Sequence, residues 1–333
     1  MNVFINGFGR IGRAVLRQLV LRAGPNIINV VGINDPMTLQ NAAYLFEFDS
    51  AFGPFPATVD VDDTHLKVGG QKIEFCHEMD LGKIDLSDVD VVLECTGRAT
   101  NADFANAGLT AGAKSVLIAG PSQAAQVTVV LGANTSDLGD ATLISASSCT
   151  TNAIAPLLAA IDLGLGVRSA HATTIHCYTG SQPTIDAPSV QFERGRAAAV
   201  SMVPTTTSAA KEIENVLPAL SDRISVSSVR VPTHSVSAID VVVQLDTPLV
   251  EPAQEFLREA FEGSPVVSVS DDPCVSVDMR GRPESLILAI NETRCVGDDQ
   301  IRIFGWYDNE WAYAARMIDT AQRMHDRKPF LGE

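Results

Sequence analysis

Short apolar runs recur along the first half of the chain and are separated by longer amphipathic stretches. The strands predicted from them are Val3–Ile5, Ile27–Ile33, Val89–Glu94, Val116–Ala119, Val127–Leu131 and Leu143–Ser145. Such runs are typical of strands that are buried on both faces of a parallel sheet. Polar alternation over Val59–Phe75, with Gly69-Gly70 at a turn, predicts an inserted hairpin. The first half is therefore predicted to be a doubly wound α/β domain.

The pattern changes after Ile161, where longer strands follow one another with few helices between them. These strands are predicted at Ala170–Tyr178, Ile224–Val231, Ala238–Leu245, Val266–Val269 and Ile301–Tyr307. This arrangement is typical of an antiparallel sheet backed by helices, which predicts a second domain. Asn309–Arg327 has helical spacing. Thr179–Ala199, rich in Ser, Pro and Arg, predicts a long irregular loop, and loops of that length usually serve a site or an interface.

A glycine-rich motif follows the first predicted strand. Gly7, Gly9 and Gly12 have the spacing of a dinucleotide-binding turn, and an apolar-periodic helix continues from it to Leu21. In such a turn the glycines permit a tight bend, close approach of the backbone to a pyrophosphate, and close packing of helix on strand. Asp35 ends the next predicted strand, near the spacing of a ribose-binding acid. The alternative is an ordinary glycine turn before a helix.

A second motif, Ser148-Cys149-Thr150-Thr151-Asn152, lies between a short buried strand and an apolar helix predicted over Ala153–Ile161. A cysteine at a helix N-terminus is favoured as a thiolate by the unpaired amides there, and an imidazole from His176 would favour it further. The pattern indicates a nucleophile with its base and a candidate aldehyde-oxidising enzyme. The alternatives are a small buried core cysteine and a core histidine with satisfied hydrogen bonds.

Composition narrows the class of protein. The chain has 333 residues, 46% of them hydrophobic, enough for two domains with substantial cores. No stretch looks like a membrane span or a signal peptide, so we expect no membrane contact and a cytoplasmic location. A formal charge of −16 disfavours nucleic-acid binding. The cysteines form no CxxC pair, so we expect reduced thiols and no metal site.

Several motifs together carry a resemblance over nearly the whole chain. In chain order they are Asn6-Gly7-Phe8-Gly9-Arg10-Ile11-Gly12-Arg13, Asn34-Asp35, Cys95-Thr96-Gly97, Ser148-Cys149-Thr150-Thr151-Asn152, His176-Cys177-Tyr178-Thr179-Gly180, Arg230-Val231-Pro232-Thr233 and Trp306-Tyr307-Asp308-Asn309-Glu310. The chain resembles the phosphorylating glyceraldehyde-3-phosphate dehydrogenases. Erythrose-4-phosphate dehydrogenases share most of these motifs, so the motifs specify the substrate less sharply.

The resemblance implies an architecture and partners. It implies a Rossmann NAD-binding domain over residues 1–148, completed by a C-terminal helix at 313–333, and an α+β catalytic domain with a mostly antiparallel sheet over 149–312. It also implies NAD as cofactor, glyceraldehyde 3-phosphate and inorganic phosphate as substrates, and a homotetramer in which the loop Thr179–Ala199 lies at a subunit contact.

The same resemblance assigns roles to residues. Cys149 would attack the aldehyde, and His176 would act as its base. Residues implied to bind the cofactor are Gly7, Gly9, Arg10, Ile11, Gly12, Asp35, Thr96, Asn309 and Tyr313. Residues implied to bind substrate or phosphate are Ser148, Thr150, Thr179, Arg194, Thr207, Ser208 and Arg230. Of these, Arg230 and Thr179 map to the substrate phosphate, and Arg194, Thr150 and Thr207 map to the attacking phosphate.

Some positions depart from the family pattern and leave alternatives open. Ser181 stands where an Asp is usual, Ser208 where a Gly is frequent, and Arg98-Ala99 where an aromatic residue commonly lines the adenine site. Ala187-Pro188 combines residues seen in NAD-type and NADP-type members of the family, so the predicted preference for NAD over NADP rests mainly on Asp35. The remaining hypotheses are a glyceraldehyde-3-phosphate dehydrogenase, a dehydrogenase of another phosphorylated aldehyde such as erythrose 4-phosphate, and a non-catalytic NAD-binding protein. For Asn309 alone, a helix N-cap is the competing role.

Overall fold

The protein, represented by a computed structural model that describes residues 1–22 and 28–326, folds into two compact units. Among the described residues, the first unit comprises Met1–Val129, Thr135–Ser148 and 313–326. The second comprises Val130–Asn134 and Cys149–Ala312. The final helix is described only as far as Asp326, so the rest of the stretch predicted over 313–333 lies outside the described residues, as does Ile27.

The first unit is built around a sheet of mainly parallel strands. Its strands are β1 (Asn2–Asn6), β2 (Asn29–Asn34), β3 (Phe48–Asp49), β4 (Gly53–Pro54), β5 (Val59–Val61), β6 (His65–Val68), β7 (Gln71–Cys76), β8 (Val91–Glu94), β9 (Ser115–Ile118), β10 (Val127–Thr128) and β11 (Leu143–Ser145). Its first helices are α1 (Arg10–Leu21), α2 (Leu39–Glu47) and α3 (Ala102–Thr110). Among the described residues, the main sheet has the strand order β10-β11-β9-β8-β1-β2-β7-β6-β5.

Strand β1 lies where the chain reverses its direction of travel across this sheet. It pairs in parallel with β2 on one side and with β8 on the other. In open α/β sheets, ligands bind beyond the carboxyl ends of the strands at such a switch point. The glycine motif follows β1 directly, so the topology places Gly7–Gly12 at the position expected for a dinucleotide.

The inserted segment forms a hairpin, as its polar alternation predicts. Strands β6 and β7 are antiparallel, and Gly69 and Gly70 both have positive φ at the turn between them. Strand β7 then pairs in parallel with β2 and joins the main sheet. The strand predicted over Val127–Leu131 is shorter than expected. Only Val127–Thr128 pairs with β11, because the chain turns after Val129 and enters the second unit at Val130.

The second unit combines a mostly antiparallel sheet with helices. Its helices are α4 (Cys149–Leu165), α5 (Ala209–Val216) and α6 (Ala253–Ala260). Its strands are β12 (Val167–Cys177), β13 (Val203–Thr205), β14 (Ile224–Val231), β15 (Ser237–Leu245), β16 (Val267–Ser270), β17 (Leu286–Ala289), β18 (Arg294–Val296) and β19 (Gln300–Tyr307). The strand order in the described chain is β13-β14-β12-β15-β19-β17-β16, with β18 on β19, and only β12/β14 and β16/β17 pair in parallel. The predicted fold class is confirmed. The chain then continues into α7 (Trp311–Asp326).

Helix α4 forms the buried centre of the second unit. It begins at Cys149, four residues before the predicted start, and passes through Pro156 without ending. The side chains from Thr150 to Leu158 are buried, which explains the apolar character of this segment. In β12, Ala170, Ala172, Thr174 and His176 alternate inward with more exposed residues between them, so the strand period carries His176 into the interior. Within the described residues, no helix is both long and apolar enough to cross a membrane.

The predicted loop Thr179–Ala199 is irregular, with short 3₁₀ turns at Phe192–Gly195 and at Ala198–Val200. A contact between the Ala187 amide and the Gly195 carbonyl, at 2.8 Å, closes part of it. Several of its large apolar side chains are exposed, among them Val190 and Phe192.

Candidate active site

Cys149 lies at a sharp junction between a strand and a helix. Strand β11 ends at Ser145, Ser147 has a φ of 56°, and α4 begins at Cys149. A non-glycine residue in the left-handed region stores strain that the surrounding structure must hold. The Tyr313 hydroxyl donates to the Ser147 carbonyl at 2.8 Å and supports this turn. Tyr313, predicted to lie near the nicotinamide, therefore also buttresses the backbone before the cysteine.

The structure brings Cys149 and His176 together. Cys149 Sγ lies 3.6 Å from His176 Nε2, within the range of a hydrogen bond to sulfur. His176 Nδ1 lies 2.7 Å from the Cys177 carbonyl oxygen. With the ring proton on Nδ1, this nitrogen donates to the Cys177 carbonyl and the Nε2 lone pair faces the sulfur; with the proton on Nε2, Nδ1 accepts from Arg230 Nη1, which lies 2.7 Å away. In the first tautomer His176 can take a proton from the site.

Arg230 completes the cluster, because β12 and β14 run in parallel with His176 opposite Arg230 in register. Arg230 Nη1 lies 2.7 Å from His176 Nδ1 and donates to the Cys177 carbonyl at 2.9 Å. The sequence assigned Arg230 to a substrate phosphate and did not foresee this contact with the base. Among the described residues, Nε and Nη2 of Arg230 have no hydrogen-bond partner, so part of its fork of donors remains available to an anion.

The surroundings of Cys149 act on its expected thiolate in both directions. Burial raises the pKa of the Cys149 thiol to about 11, although Arg230, the Thr150 hydroxyl and the first amides of α4 all act to lower it. Burial, with the nearby positive charge of Arg230, lowers the pKa of His176 to about 4. Burial thus favours the neutral forms of both groups, although the side chain of Cys149 is only partly buried. The helix N-terminus acts in the predicted direction, but the loss of hydration on burial is larger.

Tyr307 is a site residue that sequence reasoning did not single out. It is fully buried, and its hydroxyl lies 3.0 Å from Thr150 Oγ1 and 2.8 Å from Thr174 Oγ1. Its ring packs edge-on against His176, with centroids 6.1 Å apart. The inward alternation of Ile301, Ile303, Gly305 and Tyr307 along β19 was the available signal. Tyr307 thus fixes the Thr150 side chain and one wall of the imidazole.

The other residues assigned to anions have different neighbours. Thr179 Oγ1 lies 3.0 Å from Ser181 Oγ, so the serine that stands where an Asp is usual pairs with this threonine. Arg194 Nη2 donates to the Thr206 carbonyl and hydroxyl, each at 3.0 Å. Thr207 Oγ1 accepts from the Ala209 amide and so caps α5. Ser148 is half-buried, and the side chain of Ser208 makes no capping bond. Within the described chain, Arg194 and Thr207 make no hydrogen bond to Cys149 or His176.

The glycine turn in the first unit is shaped by close backbone contacts. A Cβ on Gly12 would lie 2.2 Å from the Gly7 carbonyl, and a Cβ on Gly7 would lie 2.6 Å from the Thr96 amide nitrogen. Gly7 also has a φ of 95°, which other residues rarely adopt. A Cβ on Gly9 would meet nothing within 4 Å, so this position faces open space where a ligand can approach. Arg10 and Ile11 then begin α1, and Arg10 pairs with Asp49.

Asp35 and Thr96 flank this turn. Asp35 Oδ2 accepts from the Phe8 amide at 2.7 Å and Oδ1 from the Met37 amide at 2.9 Å, so the carboxylate is held while retaining lone pairs for further donors. The Thr96 amide and hydroxyl both donate to Glu94, whose carboxyl also accepts from Asn6. Glu94 is buried, and burial raises its pKa. Sequence reasoning missed this buried carboxyl beneath the glycine turn.

A cavity of about 310 Å³ opens at the same edge of the sheet. Its lining includes Asn6, Asn34 and Thr96, at the carboxyl ends of β1, β2 and β8, together with the apolar walls Leu81 and Phe104. Open space at Gly9, a held carboxylate at Asp35 and an apolar-walled cavity are the features that a dinucleotide needs. The residues present therefore fit NAD.

Asn309 is buried beside the end of β12 and does not cap the last helix. Asp308 has that role, because its Oδ1 accepts from the amides of Glu310 and Trp311. Asn309 Oδ1 accepts from the Cys177 thiol at 3.1 Å and from the Ser237 hydroxyl at 3.2 Å. The competing N-cap role is therefore excluded, and Asn309 belongs to a buried polar cluster.

Comparison with known families agrees with both units. Residues 1–102 match the family model described as glyceraldehyde 3-phosphate dehydrogenase, NAD binding domain. Residues 148–309 match the model described as glyceraldehyde 3-phosphate dehydrogenase, C-terminal domain. The two matches lie in chain order and together cover most of the sequence.

Individual relatives are similar over nearly their full length. A glyceraldehyde-3-phosphate dehydrogenase of Xanthobacter flavus is 40% identical over 330 residues, covering 97% of this chain and 98% of the relative. One from Pseudomonas aeruginosa is 41% identical over 322 residues, covering 95% of this chain and 96% of the relative. Glyceraldehyde-3-phosphate dehydrogenase 2 of Bacillus subtilis is 36% identical, with 98% and 97% covered.

Proposed function

The chain belongs to the glyceraldehyde-3-phosphate dehydrogenase family and is an NAD-dependent oxidoreductase of that type, and on that premise we propose a phosphorylating reaction. In it, D-glyceraldehyde 3-phosphate, NAD and inorganic phosphate give 1,3-bisphosphoglycerate through a thioester on Cys149. The observation that carries the proposal is the 3.6 Å contact between Cys149 Sγ and His176 Nε2 at the start of a buried helix.

The first step is addition of the Cys149 sulfur to the aldehyde carbon. Because the thiol has a raised pKa, His176 Nε2 takes its proton as the C–S bond forms. The Cys149 amide at the N-terminus of α4 donates to the oxygen that becomes negative. His176 then returns that proton to the oxyanion, which becomes the hydroxyl of the adduct, and takes it back as the carbon is oxidised, which leaves an acyl group on the sulfur.

Bound NAD supplies the acceptor for the two electrons that leave the substrate carbon. The glycine turn, with Arg10 and Ile11 at the start of α1, would hold its pyrophosphate. Asp35 would accept from the adenosine ribose hydroxyls, and Thr96 lines the neighbouring cavity. Asn309 would bind the nicotinamide carboxamide, and Tyr313 would support the backbone before Cys149.

Two anions must be held for acyl transfer. Arg230 and Thr179 would bind the phosphate of the aldehyde, since Nε and Nη2 of Arg230 are uncommitted among the described residues. Arg194, Thr150 and Thr207, with Ser148 and Ser208 nearby in sequence, would bind the attacking inorganic phosphate. A phosphate oxygen attacks the thioester carbon, the C–S bond breaks, and the product leaves as an acyl phosphate.

The proposal extends to assembly and domain roles. Residues 1–148 with the last helix would be the NAD-binding domain, and 149–312 the catalytic domain. The loop Thr179–Ala199 exposes Val190 and Phe192, 99% and 87% accessible, which supports a subunit contact there. We therefore propose a homotetramer, and a cytoplasmic location stays a prediction from the sequence.

The test is steady-state NADH production over a titration of inorganic phosphate. The wild-type protein should require phosphate for multiple turnovers on glyceraldehyde 3-phosphate, and arsenate should replace it. Arg194→Ala should raise the apparent KM for phosphate, whereas Arg230→Ala should chiefly raise the KM for the aldehyde. Rapid turnover without phosphate, or a preference for erythrose 4-phosphate, would contradict the proposal and indicate hydrolysis of the thioester.

A further inference from the structure

Asn309 has an asymmetric environment that determines which end of its side chain is left for a ligand. The residue is 6% exposed, and its Oδ1 receives two hydrogen bonds. One comes from the Cys177 thiol at 3.1 Å and the other from the Ser237 hydroxyl at 3.2 Å. Among the described residues, Nδ2 has no hydrogen-bond partner. A buried amide with a satisfied oxygen and two free N–H donors is suited to a ligand that offers an oxygen.

The orientation of the Ser237 hydroxyl follows from its own partners. The Cys177 amide donates to Ser237 Oγ at 3.2 Å. An amide only donates, so the single hydroxyl proton of Ser237 is left for Asn309 Oδ1. Ser237 is 2% exposed and begins β15 beside the last residue of β12. The strand pairing therefore fixes both partners of the asparagine oxygen.

Cys177 remains a donor at every pH at which an enzyme of this kind works. Burial raises the pKa of its thiol to about 12. Its carbonyl lies 2.7 Å from His176 Nδ1, so one residue contacts the base through its backbone and Asn309 through its side chain. Without these two donors, the amide of Asn309 could turn by half a rotation and present its oxygen to the site.

We propose that Cys177 and Ser237 are positioning residues that hold Asn309 so that its Nδ2 donates to the carboxamide oxygen of the nicotinamide. The inference rests on the proposed contact between Asn309 and that carboxamide. In this role the two residues act through Asn309 rather than through contacts of their own with substrate or cofactor. Their effect is to exclude the alternative amide orientation, in which the oxygen of Asn309 would face the carboxamide oxygen and repel it.

The test compares two ligands by calorimetric titration: NAD, and ADP-ribose, which has no nicotinamide. Ser237→Ala and Cys177→Ala should each weaken NAD binding roughly tenfold, the effect of one misplaced buried hydrogen bond, and leave ADP-ribose binding unchanged. Cys177→Ser keeps a donor of similar size and should restore NAD affinity. Ser268→Ala is the matched control, because the Ser268 hydroxyl is buried with no partner among the described residues.

Each outcome bears on the inference. Unchanged NAD affinity in Ser237→Ala overturns it, as does an equal loss for NAD and ADP-ribose, which would indicate a deformed domain. Equal losses in Cys177→Ser and Cys177→Ala would overturn the role of the thiol as donor. Asn309→Ala distinguishes a failure of the positioning role from a failure of the proposed contact between Asn309 and the carboxamide. If it leaves the ratio of NAD to ADP-ribose affinity unchanged, the proposed carboxamide contact fails as well. A changed ratio there, with none in Ser237→Ala, overturns only the positioning role.

Discussion

Two helices of this protein begin directly after parallel strands of the first unit's sheet, and their first turns are built differently. Between β1 and α1 the chain turns through glycines, and a Cβ on Gly12 would collide with the Gly7 carbonyl. Between β11 and α4 it turns through serines, and Ser147 takes a φ of 56° without being glycine. The first turn leaves backbone amides and open space that a ligand can reach. The second places one thiol on the first residue of a buried helix.

The difference shows how the same strand-to-helix connection serves two kinds of chemistry. Binding a pyrophosphate needs backbone donors that a large anion can reach, so side chains must be absent. Activating a nucleophile needs a fixed side chain and polar neighbours, so the strain at Ser147 is held by the Tyr313 hydroxyl.

The largest effect is expected at the second turn. Cys149→Ser should lower kcat by on the order of 10³ or more, because a hydroxyl cannot form the thioester. NAD binding should persist, since the glycine turn is untouched. NADH formation and NAD titration measure the two effects, and Cys295→Ser, which changes an exposed cysteine, is the control. Substantial turnover by Cys149→Ser would refute the assignment of the nucleophile.

The first turn is tested by a pair of glycine substitutions. Gly12→Ala should destabilise the protein by about 1–3 kcal/mol and impair NAD binding, because its Cβ would lie 2.2 Å from a carbonyl oxygen. Gly9→Ala should leave the unfolding temperature unchanged and weaken only NAD binding, because its Cβ points into open space. Thermal unfolding and NAD titration separate these results. Equal losses of stability in the two variants would contradict the distinction.

Arg230 affects how the activity of the Cys149–His176 pair depends on pH. Its positive charge helps to lower the pKa of His176 to about 4, so Arg230→Gln should raise that pKa. Activity is lost as His176 becomes protonated, and the acid limb of kcat/KM should therefore move to higher pH. Arg194→Gln is the control, because Arg194 binds Thr206 and does not contact His176. A shift of the acid limb in both variants, or in neither, would argue against the direct effect of Arg230.

The smallest effect concerns the choice of cofactor at the first turn. Asp35 should repel the 2′-phosphate of NADP, so the wild-type protein should prefer NAD. Asp35→Gly should narrow the ratio of kcat/KM values for NAD and NADP by roughly tenfold, a change of about 1.4 kcal/mol. Asp35→Gly also removes the hydrogen bonds to the Phe8 and Met37 amides, which should lower kcat/KM with both cofactors, and the ratio of the two values cancels this common loss. Equal use of both cofactors by the wild-type protein would show that Asp35 does not decide the preference.

The sequence predicted elements well where the pattern was local. The strand at Ile224–Val231 has the predicted bounds, and the glycine spacing marked the turn before α1. The sequence predicted less where residues far apart in the chain determine a strand's length or a side chain's contacts. The expected strand over Val127–Leu131 is mostly absent, because the chain leaves the first unit there. Thr150 and Arg230 were placed in the site, but their contacts with Tyr307 and His176 join residues far apart in the chain.

The sequence by itself determined the α/β class, the glycine turn and the pairing of a cysteine with a histidine, because these follow from periodicity and from the chemistry of residue types. The tertiary structure decided how burial shifts the pKa values of that pair, and it decided the orientation of Asn309. Burial removes the hydration that would stabilise a thiolate, and no local pattern records how deeply a side chain is buried. Likewise, Cys177 and Ser237 meet Asn309 only because the end of β12 lies beside the start of the antiparallel strand β15 and the chain returns there after β19.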